Sequence, residues 1–549
     1  MKPHYTVTLG LRAIGCLSYC LAFATYLVLP SPAMSQERPP QLARLGKVEF
    51  KVECNAAAQQ EFHRAMTLYH SFAWKEAAAA FAAVAEADPS CGMAHWGRAM
   101  AILNNPFGWP ANLAPKTLND AQAALEAARS AGLRSQRERD YVDSLASYLR
   151  DHDKLNHRDR LLSYEEAMAK LAARYLDDTE ASILSALVTS ANFNPADKTY
   201  ANQLKAAKIL EPLFAAQPDH PGVAHYLIHS YDYPPIAKHG LEAAKRYAKV
   251  APDAPHALHM PSHIFTRLGH WSESIASNRA SAKAATDNVL YQLHGYDYMV
   301  YAHLQLAQDQ AARDVVAQSA QLKIDGQGFG VAYAVAAMPA RYALERSAWK
   351  DAAALELKPA RGDYPWEKFP QAEAVNAFAR GVGAARSGDS AAAHAQHARL
   401  VKLRDAAKEA KFGYWAEQID IQADVVRGLS LLADGKSVEG LEILRGAAQR
   451  EDATEKHVVT PGPLLPAREV LADSLLEAGK GAVALTEYEA VLAKEPNRYR
   501  AMVGAARAAR LAGDADKAKL HFTQLVELAK SADTQRDGLQ EARQFLAQK

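Results

Sequence analysis

The chain of 549 residues contains four cysteines and no surplus of either charge: 63 Lys and Arg stand against 62 Asp and Glu. Balanced charge leaves no electrostatic footprint for nucleic acid, so no nucleic-acid partner is expected. Period-2 alternation, the mark of half-buried strands, is scarce. No glycine-rich phosphate loop follows a strand and no serine nucleophile elbow occurs, so neither a nucleotide enzyme nor an acyl-transfer enzyme is suggested. Alanine, by contrast, is frequent in stretches such as Glu76 to Glu86. That composition favours an all-α chain of short antiparallel hairpins. The length exceeds what one compact core usually holds.

The N-terminus is apolar from Ala13 to Leu29 after Lys2 and Arg12, meets Pro30 and Pro32, and then offers Ala33-Met34-Ser35 ahead of Gln36. That order reads as a cleaved secretory signal over residues 1–35, which makes the protein exported, periplasmic or secreted. The alternative is a retained anchor, since the apolar run nears the lower limit for a spanning helix. Ala13 to Cys16 has the look of a lipoprotein cleavage site but precedes the apolar stretch it should follow. Removing the signal removes Cys16 and Cys20 and leaves no transmembrane domain. Of the two remaining cysteines, Cys54 precedes an expected helix and Cys91 follows the helix that packs back against it. A disulfide between them is expected in an oxidising compartment, with two unpaired structural thiols as the alternative.

What the chain does have is histidine, 20 residues of it. His225/His229 and His259/His263 are two His-x-x-x-His pairs standing 34 residues apart. Residues four apart share one helix face, so each pair can pinch an ion or polar ligand. Neither pair has the glutamate that metallopeptidases place directly after the first histidine, and a proteolytic reading is unsupported. Asp232, Asp297 or Tyr301 would be the groups available to act as base on a metal-bound water.

Short landmarks recur along the chain. Ala77, Phe81 and Pro89 keep the spacing of a small residue, an aromatic and a closing proline; Gly479, Ala484, Tyr488 and Pro496 repeat it, as do Gly513, Ala518 and Phe522. Gly269, Trp271 and Ser274 mark a further turn and second helix. In these positions and in the 34-residue period the chain resembles tetratricopeptide repeat proteins, clearest at both ends and from Gly240 to Ala285. The resemblance implies an α-solenoid of antiparallel helix hairpins. On this reading residues 36–55 form a linker, 56–133 and 461–549 hold terminal repeats and 201–323 the central repeats, while 134–200 and 324–460 are degenerate helical segments. Ile324 to Gly330, Lys358 to Pro370 and His457 to Pro466 read as loops, some of them inserts that shape a groove.

In that family the first helix of each hairpin lines the concave surface. Counted back from the small residue of the second helix, His225 and His229 lie 15 and 11 positions before Gly240, and His259 and His263 lie 15 and 11 before Ser274. His256 falls 18 before Ser274, while His294, Asp297 and Tyr301 take the 18, 15 and 11 places before Ala312. The resemblance turns all of these inward. His225, His229, His259 and His263 are the expected metal ligands, with His256, His294, Asp232 and Asp297 as additional ligands or orienting groups. Imidazole with carboxylate suits a divalent transition metal, namely zinc, copper, nickel or iron. Protein or peptide recognition in the concave groove is a second reading, which includes a metal-free interaction scaffold of the cell envelope. A metal-dependent hydrolase or oxygenase is a third. His70 and His95 are expected to be ordinary packing, His239 and His270 solvated turn residues, and Arg267 and Arg341 groove residues. Arg498, Arg500, Arg507 and Arg510 are expected on a solvated or partner-facing stripe.

Overall fold

The computed structural model describes residues 43–109, 113–324 and 328–548; the expected signal segment lies outside them. Among the described residues there is no strand, only an isolated bridge between Arg361 and Tyr364. The chain runs as antiparallel helix hairpins, from Ala56–His70 with Trp74–Ala87 to Tyr499–Ala512 with Ala515–Leu528, closed by Asp537–Ala547. Each helix packs chiefly against its neighbours in sequence. That is the quasi-one-dimensional arrangement of a helical solenoid, and the fold is tetratricopeptide-like. No described helix is long and apolar enough to cross a membrane.

The central hairpins explain the alternation of helix types. Every residue of Pro221–Tyr231 is buried, whereas its partner Leu241–Val250 buries Ala243, Ala244 and Tyr247 alone. The first helix is covered on all sides and the second shows water one face, as helix amphipathicity demands. Pro221 and Pro255 stand at first-turn positions, where the missing N–H costs nothing. Pro261 has a larger effect. It splits the next inner helix into Pro255–His259 and Pro261–Arg267, so His259 and His263 sit on two short helices.

Cys54 and Cys91 form a disulfide across the first hairpin, with Cα atoms 5.2 Å apart. The superhelix also folds back on itself. The Trp271 indole N–H donates to the Asn497 carbonyl at 2.8 Å, and Gly269, at φ +69°, lies so close to Pro496 that a Cβ there would strike its carbonyl. Tyr499 of the C-terminal hairpins shares a core with Ala307. Residues 454–466 turn into the inner face of the central repeats: Tyr298 donates to the Thr460 carbonyl, and Arg341 donates to the carbonyls of Gly462 and Pro463. The inner face is therefore filled by the chain itself and is not an open groove at this point. Arg498 corrects an expectation. It is fully buried against Glu345 and Glu469, because those carboxylates supply the countercharge that water would otherwise supply; Arg507 and Arg510 remain exposed.

Candidate metal centre

Three consecutive inner elements carry the histidines: Pro221–Tyr231, the split pair Pro255–His259 and Pro261–Arg267, and Val289–Gln305. They sort into two triads, His225, His229 and His256, and His259, His263 and His294. Within each triad the candidate ligand atoms all lie within 4.8 Å of one another. Each triad takes two imidazoles from one repeat and one from the next. The 34-residue spacing of the pairs thus builds the same site twice.

Proton placement follows from the outer nitrogens. His225 Nδ1 lies 2.7 Å from the carbonyl of His70, the last residue of its helix, whose carbonyl has no intrahelical partner. A carbonyl only accepts, so Nδ1 carries the proton and His225 Nε2 is a bare lone pair. That one lone pair faces His229 Nε2 at 3.2 Å and His256 Nε2 at 3.0 Å. In the second triad His263 Nδ1 donates to Asp232 at 2.8 Å. His259 Nδ1 meets Asn278 Oδ1 at 2.6 Å, and the Asn278 amide is fixed because its NH2 group donates to the Ser274 carbonyl. Both Nε2 atoms are therefore bare, and they lie 3.0 Å apart. Two nitrogens each about 2.1 Å from a shared ion and 3.0 to 3.2 Å apart subtend about 90 to 100° at it.

The surroundings favour neutral rings. Burial, then neighbouring imidazoles, holds His225, His229, His256 and His259 well below their ordinary range, and His294 falls to about 3 for the same reasons. Burial also lowers His263, opposed by Asp232. Asp232 stays well below the carboxylate range: burial would raise it, but Lys456, Arg267 and His263 outweigh that. Phe107 stacks on His229 with centroids 4.0 Å apart, and Phe72 stacks on His256 at 5.0 Å. Tyr298 packs against His259, His263 and His294. His256 and His294 are the least buried of the six, one in each triad.

A third group, His70, Glu180 and His220, also has metal-ligand composition. Its protons are placed differently. His220 Nδ1 accepts the Val223 N–H at 3.3 Å, so its Nε2 carries the proton and donates to Glu180 at 2.6 Å. His70 Nε2 faces the other carboxylate oxygen at 3.0 Å while Tyr226 hydroxyl meets Nδ1. No lone pair points inward, and the group is a satisfied hydrogen-bond network. It braces the first triad, since His70 supplies the carbonyl that orients His225. Gly222 permits the approach: a Cβ there would strike the His70 ring.

Other expected site residues lie elsewhere. Asp297 pairs with Arg341 at 2.8 Å, fully buried, which spends its carboxylate on a guanidinium away from the imidazoles. Tyr301 contacts Glu495 and Arg498. Arg267 holds Asp232. Asn278, Lys456, Glu180 and the His70 carbonyl have no counterpart in the sequence reading. No repeat landmark marks them, because each acts through a contact with another helix or loop.

The sequence matches no protein-family model and no curated protein. Among solved structures it is similar to the TPR domain of P58(IPK), at 13% identity over 90% of this chain and 99% of that one, with a TM-score of 0.20. It is also similar to an IFIT1 monomeric mutant with Gppp-AAAA, at 12% identity over 80% and 90% and a TM-score of 0.35. Naa15/Naa10 bound to HypK-THB gives 13% identity over 89% and 73%, with a TM-score of 0.25. Superpositions this loose carry no argument about function, and the expectation against nucleic acid gains no support from them. The repeat fold rests on the chain's own hairpins and their period.

Proposed function

We propose that this chain is a metal protein holding two transition-metal ions, one on His225, His229 and His256 and one on His259, His263 and His294. The observation that carries the reading is the 3.0 Å approach of His259 Nε2 and His263 Nε2, whose Nδ1 protons are both committed to fixed acceptors. Two lone pairs at that distance repel each other unless a cation lies between them. Zinc, copper, nickel and iron all accept neutral imidazole. Asp232 and Asn278 orient the second triad, and the His70 carbonyl orients the first. The Cys54–Cys91 disulfide and the N-terminal pattern support a place of work outside the reducing cytosol. A helical-repeat scaffold also suits protein partners, which would use its outer surfaces here, since residues 454–466 occupy the inner face.

The test is metal content by mass spectrometry on the untagged mature chain. A folded variant with His225, His229, His259 and His263 all changed to Ala is measured beside it. Metal near two ions per chain, lost in the variant, is the expected result. No bound metal after reconstitution would overturn the reading and leave a protein-interaction scaffold.

A further inference from the structure

The two triads are not independent pockets. His229 of one faces His263 of the other with centroids 6.3 Å apart, and His256 faces His259 at 6.3 Å. Within the triads the His225–His229 and His259–His263 centroids stand 4.9 and 5.0 Å apart, so the rings are nearly as close across the triads as within them and the two sites adjoin. Among the described residues no free carboxylate bridges them. Both oxygens of Asp232, the carboxylate bonded to the second triad, are taken by His263, Lys456 and Arg267. Six neutral imidazoles leave the charge of two cations uncompensated among Phe72, Phe107 and Tyr298, where burial makes an unpaired charge costly.

We infer that the two triads form one dinuclear centre whose ions share a small anionic oxygen ligand. This rests on the metal reading above. The ligand has two sources with the same chemistry. From water, the bridge forms as a proton leaves to solvent and nothing is oxidised. From dioxygen, two cuprous ions give one electron each, both ions become cupric, and the O–O bond order falls from two to one with no atom lost. Copper is the metal that makes both routes observable, and an all-imidazole set suits it.

The experiment uses the full chain, stripped with chelator and reloaded with Cu(II), with metal content and spin-counted EPR read together. Two coppers per chain with most of the cupric signal missing is the expected result, because ions sharing one bridging atom couple their spins. His256→Ala, which changes one of the two less buried ligands, should restore the full signal of the single copper that remains. Two coppers per chain with full signal from each would overturn the dinuclear centre while leaving the metal reading standing. No copper bound would overturn the dinuclear centre, and no zinc, nickel or iron bound either would overturn both. Cuprous protein exposed to dioxygen separates the sources: an absorption band that disappears when dioxygen is withdrawn assigns the bridge to dioxygen, and no band assigns it to water.

Discussion

The triads and the His70–Glu180–His220 group are all clusters of metal-ligand side chains in the interior, yet they do opposite things with a proton. Around Glu180 the inward nitrogens carry N–H and the carboxylate accepts, so the group is complete as it stands. Around His259 and His263 the outward nitrogens carry N–H, and the lone pairs are left facing one another. What separates a structural histidine from a candidate ligand is therefore the acceptor behind the ring, here a carbonyl, an amide oxygen or a carboxylate. Ligand-type composition alone would count all three groups as candidate metal sites.

The sharpest way to break the comparison is His225→Ala combined with His259→Ala. Bound metal should fall from two ions per chain to none by mass spectrometry, whereas Glu180→Gln should keep both ions. Stripping the wild-type chain with chelator should lower its stability by about 4 kcal/mol for each ion removed if free metal stood near a thousand times its dissociation constant. Urea unfolding with and without metal reads this. Glu180→Gln should cost about 3 kcal/mol with or without metal, since it breaks a buried charged network, and a metal-dependent loss would mean that Glu180 is itself a ligand. Asn278→Ala should weaken binding at the second triad by about 10- to 100-fold, leaving the first untouched, in a calorimetric titration.

The smallest effect is that of pH on the stripped protein. His294 sits at about 3 in the fold, against about 6.5 when unfolded. The unfolded chain binds the proton first, so stability falls as pH drops from about 6.5 toward 3, by about 1 kcal/mol at pH 5.5 from this ring. Thermal melts across that range check the sign, and His294→Gln should flatten the slope.

The sequence determined the repeat. Alanine-rich helices, the 34-residue period and the recurrence of histidine at matching places are local patterns, and helical periodicity turns such patterns directly into a face. It put six imidazoles on successive inner helices. Tertiary structure decided how they divide, because a triad takes its third ring from the following repeat, and that partnership depends on how the hairpins stack. It also decided which rings keep a lone pair, through the carbonyl of His70, from a remote hairpin, and through Asn278 on the helix that packs against His259. Asp297 shows the other side of this: its place in the register matches His225 and His259, but Arg341 from the next hairpin claims its carboxylate. Residues 457–466 were legible as a loop, yet only their fold shows that they fill the inner face. Register is set by neighbours along one helix, whereas proton placement and countercharge are set by whatever distant segment packs against it.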